Sequence, residues 1–183
     1  RGVAESAAAA VAAADVQEKP CTALLAAGGY SDFGDPESAG AFGDARALAV
    51  ENRRRAREWA AGPTAVAAGV EIRRIDRGQW WAELARYQFL LSPWGDGIQS
   101  PKAIEALLVL TVPVVQRGPF PVFDELVRLG FPIAVVDDWA EVRAARFARW
   151  WRALSPRLHR FRQNCLNATG YWRLVALGDS SCR

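Results

Sequence analysis

The sequence predicts an α/β fold, a doubly wound, Rossmann-like parallel sheet of about five strands with helices on both faces. Three observations carry that prediction. Short apolar runs alternate with helical stretches five times along the chain. Most of the runs are apolar throughout rather than at every second residue, as strands buried on both faces require. Turn-forming residues separate run from helix at each step, so the elements stay short and distinct.

Residues 1–19 are alanine-rich, with SAAAAVAAAD at the centre. Alanine favours helix, but no apolar stripe is present to dock, so this stretch reads as a frayed helix or disordered lead-in. Order is expected from Pro20, and the folded domain from 20 to 173. Cys21–Ala27 reads as a buried strand stopped by Gly28-Gly29, and Ser31–Gly43 as a loop. Ala45–Ala61 reads as a helix ended by Gly62-Pro63. A strand follows within Ala65–Ile75, then a short helix over Gln79–Arg86 and a strand over Tyr87–Leu91. Ser92–Ser100 is a glycine-containing loop. Ser100 is a good N-cap for a helix over Pro101–Leu110, with proline at the position that tolerates it best. Val112–Gln116 is a strand, Phe123–Leu129 a helix closed by Gly130, Phe131–Val136 a strand, and Trp139–Leu154 a helix. The remainder to about Arg173 looks helical, and residues 174–183 look loose.

The 183 residues amount to one domain, and 51% hydrophobic with 23% charged is an ordinary globular composition. A formal net charge of +3 suits an anionic ligand but is too weak for a nucleic-acid interface. The densest basic cluster, Arg53, Arg54, Arg55 and Arg57, lies among Glu51, Glu58 and alanines and reads as a solvated helix face. Cys21, Cys165 and Cys182 fit no metal spacing and leave room for one disulfide at most. The chain opens on Arg1 and holds no methionine, which reads as part of a longer polypeptide. It shows neither a membrane-length apolar run nor a signal-peptide pattern.

The most informative stretch is Tyr87–Leu107, YQFLLSPWGDGIQSPKAIEAL, a strand, a glycine loop and a capped helix. Loop amides and a helix N-terminus together suit an anion. Gly95 and Gly97 let backbone approach a phosphate, Lys102 adds a charge in the first turn, and Glu105 can accept two ribose hydroxyls. A tight turn followed by a solvated lysine and glutamate is the alternative reading of the same residues. His159, the lone histidine, sits in an arginine-rich helical stretch and reads as a surface residue. Asp137 and Asp138 read as turn and cap ahead of Trp139 rather than as metal ligands. Asn167-Ala168-Thr169 is an N-glycosylation sequon.

The segment SPWGDGIQSPKAIEAL resembles the donor-site signature of exostosin-like glycosyltransferases, and TVPVV at 111–115 and FPIAVVDDW at 131–139 continue the resemblance. It covers about Tyr87 to Val142. This chain has Trp94 and Lys102 where the family often has arginine, Gln99 where it has an acidic residue, and Leu110 where it usually has glycine. The resemblance implies the C-terminal, nucleotide-sugar-binding half of a GT-B-type architecture. Ser92, Gly95, Gly97, Ser100, Lys102 and Glu105 would bind the donor, a nucleotide-diphosphate sugar. It also implies no cofactor or metal, a glycan or protein acceptor, and an N-terminal domain of the same protein supplying the catalytic base. A lumenal Golgi or endoplasmic reticulum location, with a membrane anchor elsewhere in the parent, goes with it. The second function class is a non-catalytic nucleotide-binding or interaction module of the same fold.

Overall fold

The computed structural model describes residues 3–26, 43–95 and 100–178. The Gly28-Gly29 turn, nearly all of the Ser31–Gly43 loop, Gly97, Gln99 and Cys182 lie outside the described residues. Five strands, β1 (Cys21–Ala26), β2 (Val70–Arg73), β3 (Tyr87–Leu91), β4 (Val112–Gln116) and β5 (Ala134–Val136), form one sheet in the order β2-β1-β3-β4-β5. Every pair is parallel, with Leu24 opposite both Glu71 and Leu90 and Val114 opposite both Leu91 and Ala134. The predicted fold class is the observed one.

Among the described residues eight α-helices join and flank the strands: α1 (Val3–Ala13), α2 (Gly43–Ala60), α3 (Pro63–Ala67), α4 (Trp80–Leu84), α5 (Pro101–Leu108), α6 (Val122–Leu129), α7 (Ala144–Cys165) and α8 (Ala168–Leu177). The chain steps outward from β1 to β2, returns across β1 to β3, and then runs on through β4 to β5. With crossovers of the usual right hand, α2 covers one face and α4, α5 and α6 the other. The reversal falls between β1 and β3, the switch point beyond whose strand ends sheets of this kind bind their ligands. Among the described residues no helix is long and apolar enough to cross a membrane.

The core lies along β1, β3 and β4, where Leu24, Phe89, Leu90, Val112 and Val114 are fully buried. Helix α7 returns across the sheet and lays Phe147 and Trp151 against Phe89, with ring centroids 4.6 and 5.7 Å away. Pro113 sits in β4 although that strand is paired on both sides. The carbonyl of Val114 accepts from Ser92 N of the loop after β3 (2.8 Å), so Pro113 faces the β5 side. Pairing with β5 begins one residue later, at Val114–Ala134, and the missing N–H of proline leaves no gap in the ladder.

Four sequence expectations need correction. The alanine lead-in is a helix packed along α4, with Ala10 and Val11 against the core and Ala14 buried. Small side chains let the two helices approach closely, so no stripe of large residues was needed. The amino-terminal part of the strand expected at Phe131–Val136 is turn: Phe131 N bonds Leu126 O at 3.0 Å, closing α6 behind Gly130, whose φ is 102°. The helix expected over Trp139–Leu154 is a 3-10 turn at Trp139–Glu141 followed by α7, which continues through Pro156. Phe147, Leu158, Phe161 and Cys165 are buried on both sides of that proline and hold the helix on the core across it. Helix α8 runs past Arg173 to Leu177, with Leu174 buried.

At the amino-terminal edge of the sheet two cations hold three helix C-termini. Lys19, buried, donates to Ala85 O (2.7 Å) after α4, Val109 O (3.0 Å) after α5, and Thr111 Oγ1 (3.1 Å). The Thr111 hydroxyl in turn donates a hydrogen bond to Tyr87 O at 2.8 Å. Arg162 Nη1 donates to Val11 O of α1 (2.8 Å) and Leu108 O of α5 (3.2 Å). Cations belong at helix C-termini, where the last carbonyls carry partial negative charge. Burial nevertheless lowers the Lys19 ammonium from its ordinary 10.5 to about 7; Asp15 opposes the shift and Arg162 adds to it.

Two predictions follow from this edge. Unfolded, Lys19 keeps its proton to about pH 10; folded, it releases it near neutrality, so the unfolded state binds more protons between the two and stability rises with pH there. Urea midpoints recorded from about pH 7 to 10 should climb in the native chain and climb less in Lys19→Met. An equal slope in both would place the titration elsewhere. The second concerns Leu110, which is fully buried at φ 59°, a left-handed conformation that glycine adopts without strain. Leu110→Ala should cost about 2–5 kcal/mol in lost packing. Leu110→Gly should cost less than the alanine variant, because relief of the left-handed backbone returns about 1–2 kcal/mol. Denaturant unfolding of both variants gives the order directly, and alanine above glycine would contradict the strain.

Candidate functional site

The loops after β3, β4 and β5 lie along the carboxyl edge, as the topology requires. Their positions are fixed by a chain of buried polar groups that begins on α2. The α2 residues Ala49, Asn52, Ala56 and Ala60 repeat at helical spacing and are all buried. Asn52 Oδ1 accepts from Trp94 N at 2.9 Å, and Asn52 Nδ2 donates to Gln116 Oε1 at 2.7 Å. The Trp94 indole N–H donates to Gln116 O (2.9 Å), and Gln116 Nε2 to Asp137 O (2.7 Å). Each oxygen and each nitrogen of the two amide side chains has a partner of the right kind, so the chain ties α2 to the ends of β3, β4 and β5.

Trp94 fills the space above β3 and β4. A Cβ built on Gly118 would lie 1.9 Å from the Cη2 and Cζ2 atoms of its ring, so the loop after β4 passes directly against the indole. Arg117 braces that loop through ion pairs to Asp124 (3.0 Å) and Asp137. Asp138 caps the turn at Trp139, accepting from Ala140 N (2.8 Å), while Glu141 accepts from Asp138 N (3.0 Å). The capping role read for Asp138 is what the structure shows, and Asp137 instead serves Arg117.

The crevice at the strand reversal is lined differently. Ser92 is buried at the end of β3, and its hydroxyl has no hydrogen-bond partner among the described residues. Gly95 is half-buried just beyond it. Ser100 caps α5 by accepting from Lys102 N (3.3 Å), Pro101 has no N–H, and Ala103 N bonds Ser100 O (3.0 Å). The first backbone donors of α5 are therefore spent, and an anion at this end would rely on side chains and the helix dipole.

Lys102 supplies one such side chain. Its ammonium lies 5.3 Å from the centre of the Trp80 ring and has no hydrogen-bond or carboxylate partner among the described residues. Burial lowers its pKa; nearby Glu105 opposes that shift and Arg53 of α2 reinforces it. Glu105 is held by the same tryptophan, its Oε2 accepting from Trp80 Nε1 at 2.8 Å. It is thus neither a free helix carboxylate nor wholly engaged, since Oε1 has no partner among the described residues.

Sequence reasoning assigned Arg53 to a solvated cluster. Arg54 and Arg55 do pair on the outside with Glu51, and Arg54 also with Glu58. Arg53 is half-buried, with Nε on Ala49 O (3.3 Å), and its charge disfavours that of Lys102. Its place beside Asn52 on the inward repeat 49, 52, 53, 56, 60 is the signal that could have separated it from its neighbours. His159 is half-buried on α7, between Arg157, which bonds Gly130 O, and Arg162, which bonds Leu108 O; it belongs to the opposite edge.

Ser100, Lys102 and Glu105 share the first turns of α5, and Ser92 and Gly95 follow the end of β3; Gly97 lies outside the described residues. The chain matches no protein-family model and no curated protein.

The packing of Trp94 is open to test. Gly118→Ala should destabilise the fold by about 1–3 kcal/mol, the usual range for overpacking. Trp94→Phe should relieve much of that penalty when combined with Gly118→Ala, because the clashing atoms belong to the second ring of the indole. Thermal unfolding of the double-mutant cycle reads the coupling. Additive losses would mean that the loop after β4 does not rest on the tryptophan.

Proposed function

We propose that this chain binds a nucleoside diphosphate in the β1–β3 crevice, as the donor-binding half of a glycosyltransferase resembling the exostosin family. The observation that carries the reading is Lys102, half-buried in the first turn of α5 with no hydrogen-bond or carboxylate partner among the described residues, while Arg53 of α2 further disfavours its charge. Lys102 stands at the positive end of its helix, beside another cation and partly stripped of water. A lysine placed there costs stability unless an anion faces it. A diphosphate supplies that anion, and Ser92 Oγ on the crevice floor adds a hydroxyl able to donate to it.

In transfer, the sugar–phosphate bond breaks and negative charge builds on the departing diphosphate. Cations held in place before the reaction stabilise that charge without reorganising. Glu105, its carboxylate oriented by Trp80, keeps Oε1 for a ribose hydroxyl. The base that activates the acceptor belongs to a second domain in this reading, and a lumenal endomembrane location accompanies it by resemblance. A non-catalytic binding module is the second reading, favoured by Trp94, whose buried indole occupies the part of the edge nearest β4.

Calorimetry with uridine and its diphosphate separates the parts of the site. Lys102→Ala should weaken the diphosphate by about tenfold to a hundredfold, the loss of one charge-assisted contact of roughly 1.5–3 kcal/mol, and leave uridine unchanged. Arg53→Ala should act in the same direction. Equal losses for uridine and its diphosphate would remove Lys102 from the phosphate site. Detectable sugar transfer by this chain alone would overturn the half-enzyme reading.

A further inference from the structure

The sequon at Asn167-Ala168-Thr169 falls at the corner between α7 and α8, and all three residues are exposed. Asn167 is the N-cap of α8. Its Oδ1 accepts from Gly170 N at 2.8 Å, and its Nδ2 makes a single bond, to Gln163 O at 2.7 Å. The corner is held tightly from inside. A Cβ on Gly170 would lie 1.7 Å from Asn164 O, and Cys165, two residues before the sequon, is fully buried and disulfide-bonded. Disulfides are characteristic of chains that mature in an oxidising compartment, where sequons meet the glycosylation machinery.

We propose that Asn167 carries an N-linked glycan and that the α7–α8 corner accommodates it without losing a hydrogen bond. The amide nitrogen has two hydrogens. One leaves as a proton when Nδ2 bonds to C1 of the sugar, and the C1–oxygen bond to the lipid diphosphate of the donor breaks in the same step. The other hydrogen remains for Gln163 O, and Oδ1 keeps its bond from Gly170 N. Thr169 lies within α8 in the folded chain, so the transferase must act on the extended segment before the corner closes. This inference rests on the sequon and its corner, not on the nucleotide site.

The test is to secrete the chain from eukaryotic cells behind a cleavable signal sequence and analyse the Asn167 peptide by mass spectrometry. Most molecules should carry one glycan, removable by peptide N-glycosidase. Asn167→Asp and Thr169→Ala should both abolish it; the aspartate keeps a side-chain oxygen for the cap, so loss there reports the modification and not misfolding. Trimming the glycan on the folded protein with an endoglycosidase that leaves the first sugar on Nδ2 should shift Tm by no more than about 2 °C, as for a surface change that breaks no contact. An unmodified Asn167 in both the secreted and the intracellular pool would overturn the proposal, and intracellular occupancy decides the matter if secretion fails. A glycan whose trimming moves Tm by much more would overturn the account of the corner.

Discussion

Asn52, Trp94 and Gln116 share a run of hydrogen bonds inside the carboxyl edge, and the candidate site depends on it. In that low-dielectric interior an unmatched amide costs several times what a matched one gains. Asn52 and Gln116 therefore permit one arrangement of α2 over the ends of β3, β4 and β5. Arg53 follows Asn52 in sequence, so its approach to the crevice is fixed by the bonds its neighbour makes. Trp94 closes the β4 side of the edge, and in the proposed reading the diphosphate lies on its other side, toward Ser92 and Lys102.

The two edges of the sheet treat their cations in opposite ways. At the amino edge, Lys19 and Arg162 sit on helix C-terminal carbonyls and their contacts are filled; they are structural. At the carboxyl edge, Lys102 stands at a helix N-terminus with no oxygen partner among the described residues. Burial lowers the pKa of both lysines, but Lys19 has carbonyls to hold it, whereas Lys102 has only the Trp80 ring and the charge of Glu105 in its favour. That imbalance, rather than the presence of a lysine after a glycine loop, is the physical ground for an anionic ligand.

Much of this was legible in the sequence. β3 and β4 have the limits their apolar runs gave them, because Ser92 and Arg117 end those runs sharply. Ser100, Gly130 and Asp138 act as the caps their chemistry suggested. Docking of α1 was not legible, since alanine packs by closeness and leaves no periodic stripe. Lys19 reads as a surface residue in a polar stretch; only the convergence of three helix ends buries it. Arg53 was hidden because four clustered arginines read as one face, whereas a helix turns one of them inward. Leu110 was noted as a departure from glycine, and its positive φ gives that departure a cost that sequence alone could not assign. The tie between Trp80 and Glu105 crosses 25 positions and has no local signature.

The central claim, that the β1–β3 crevice holds a nucleoside diphosphate, is tested most directly by amide NMR shifts during titration with uridine diphosphate. The account predicts saturable shifts centred on Arg53, Ser92, Gly95 and Lys102, with the amino edge around Lys19 and Arg162 unmoved. Absence of any shift at millimolar ligand in a folded sample, or shifts centred on the amino edge, would contradict it.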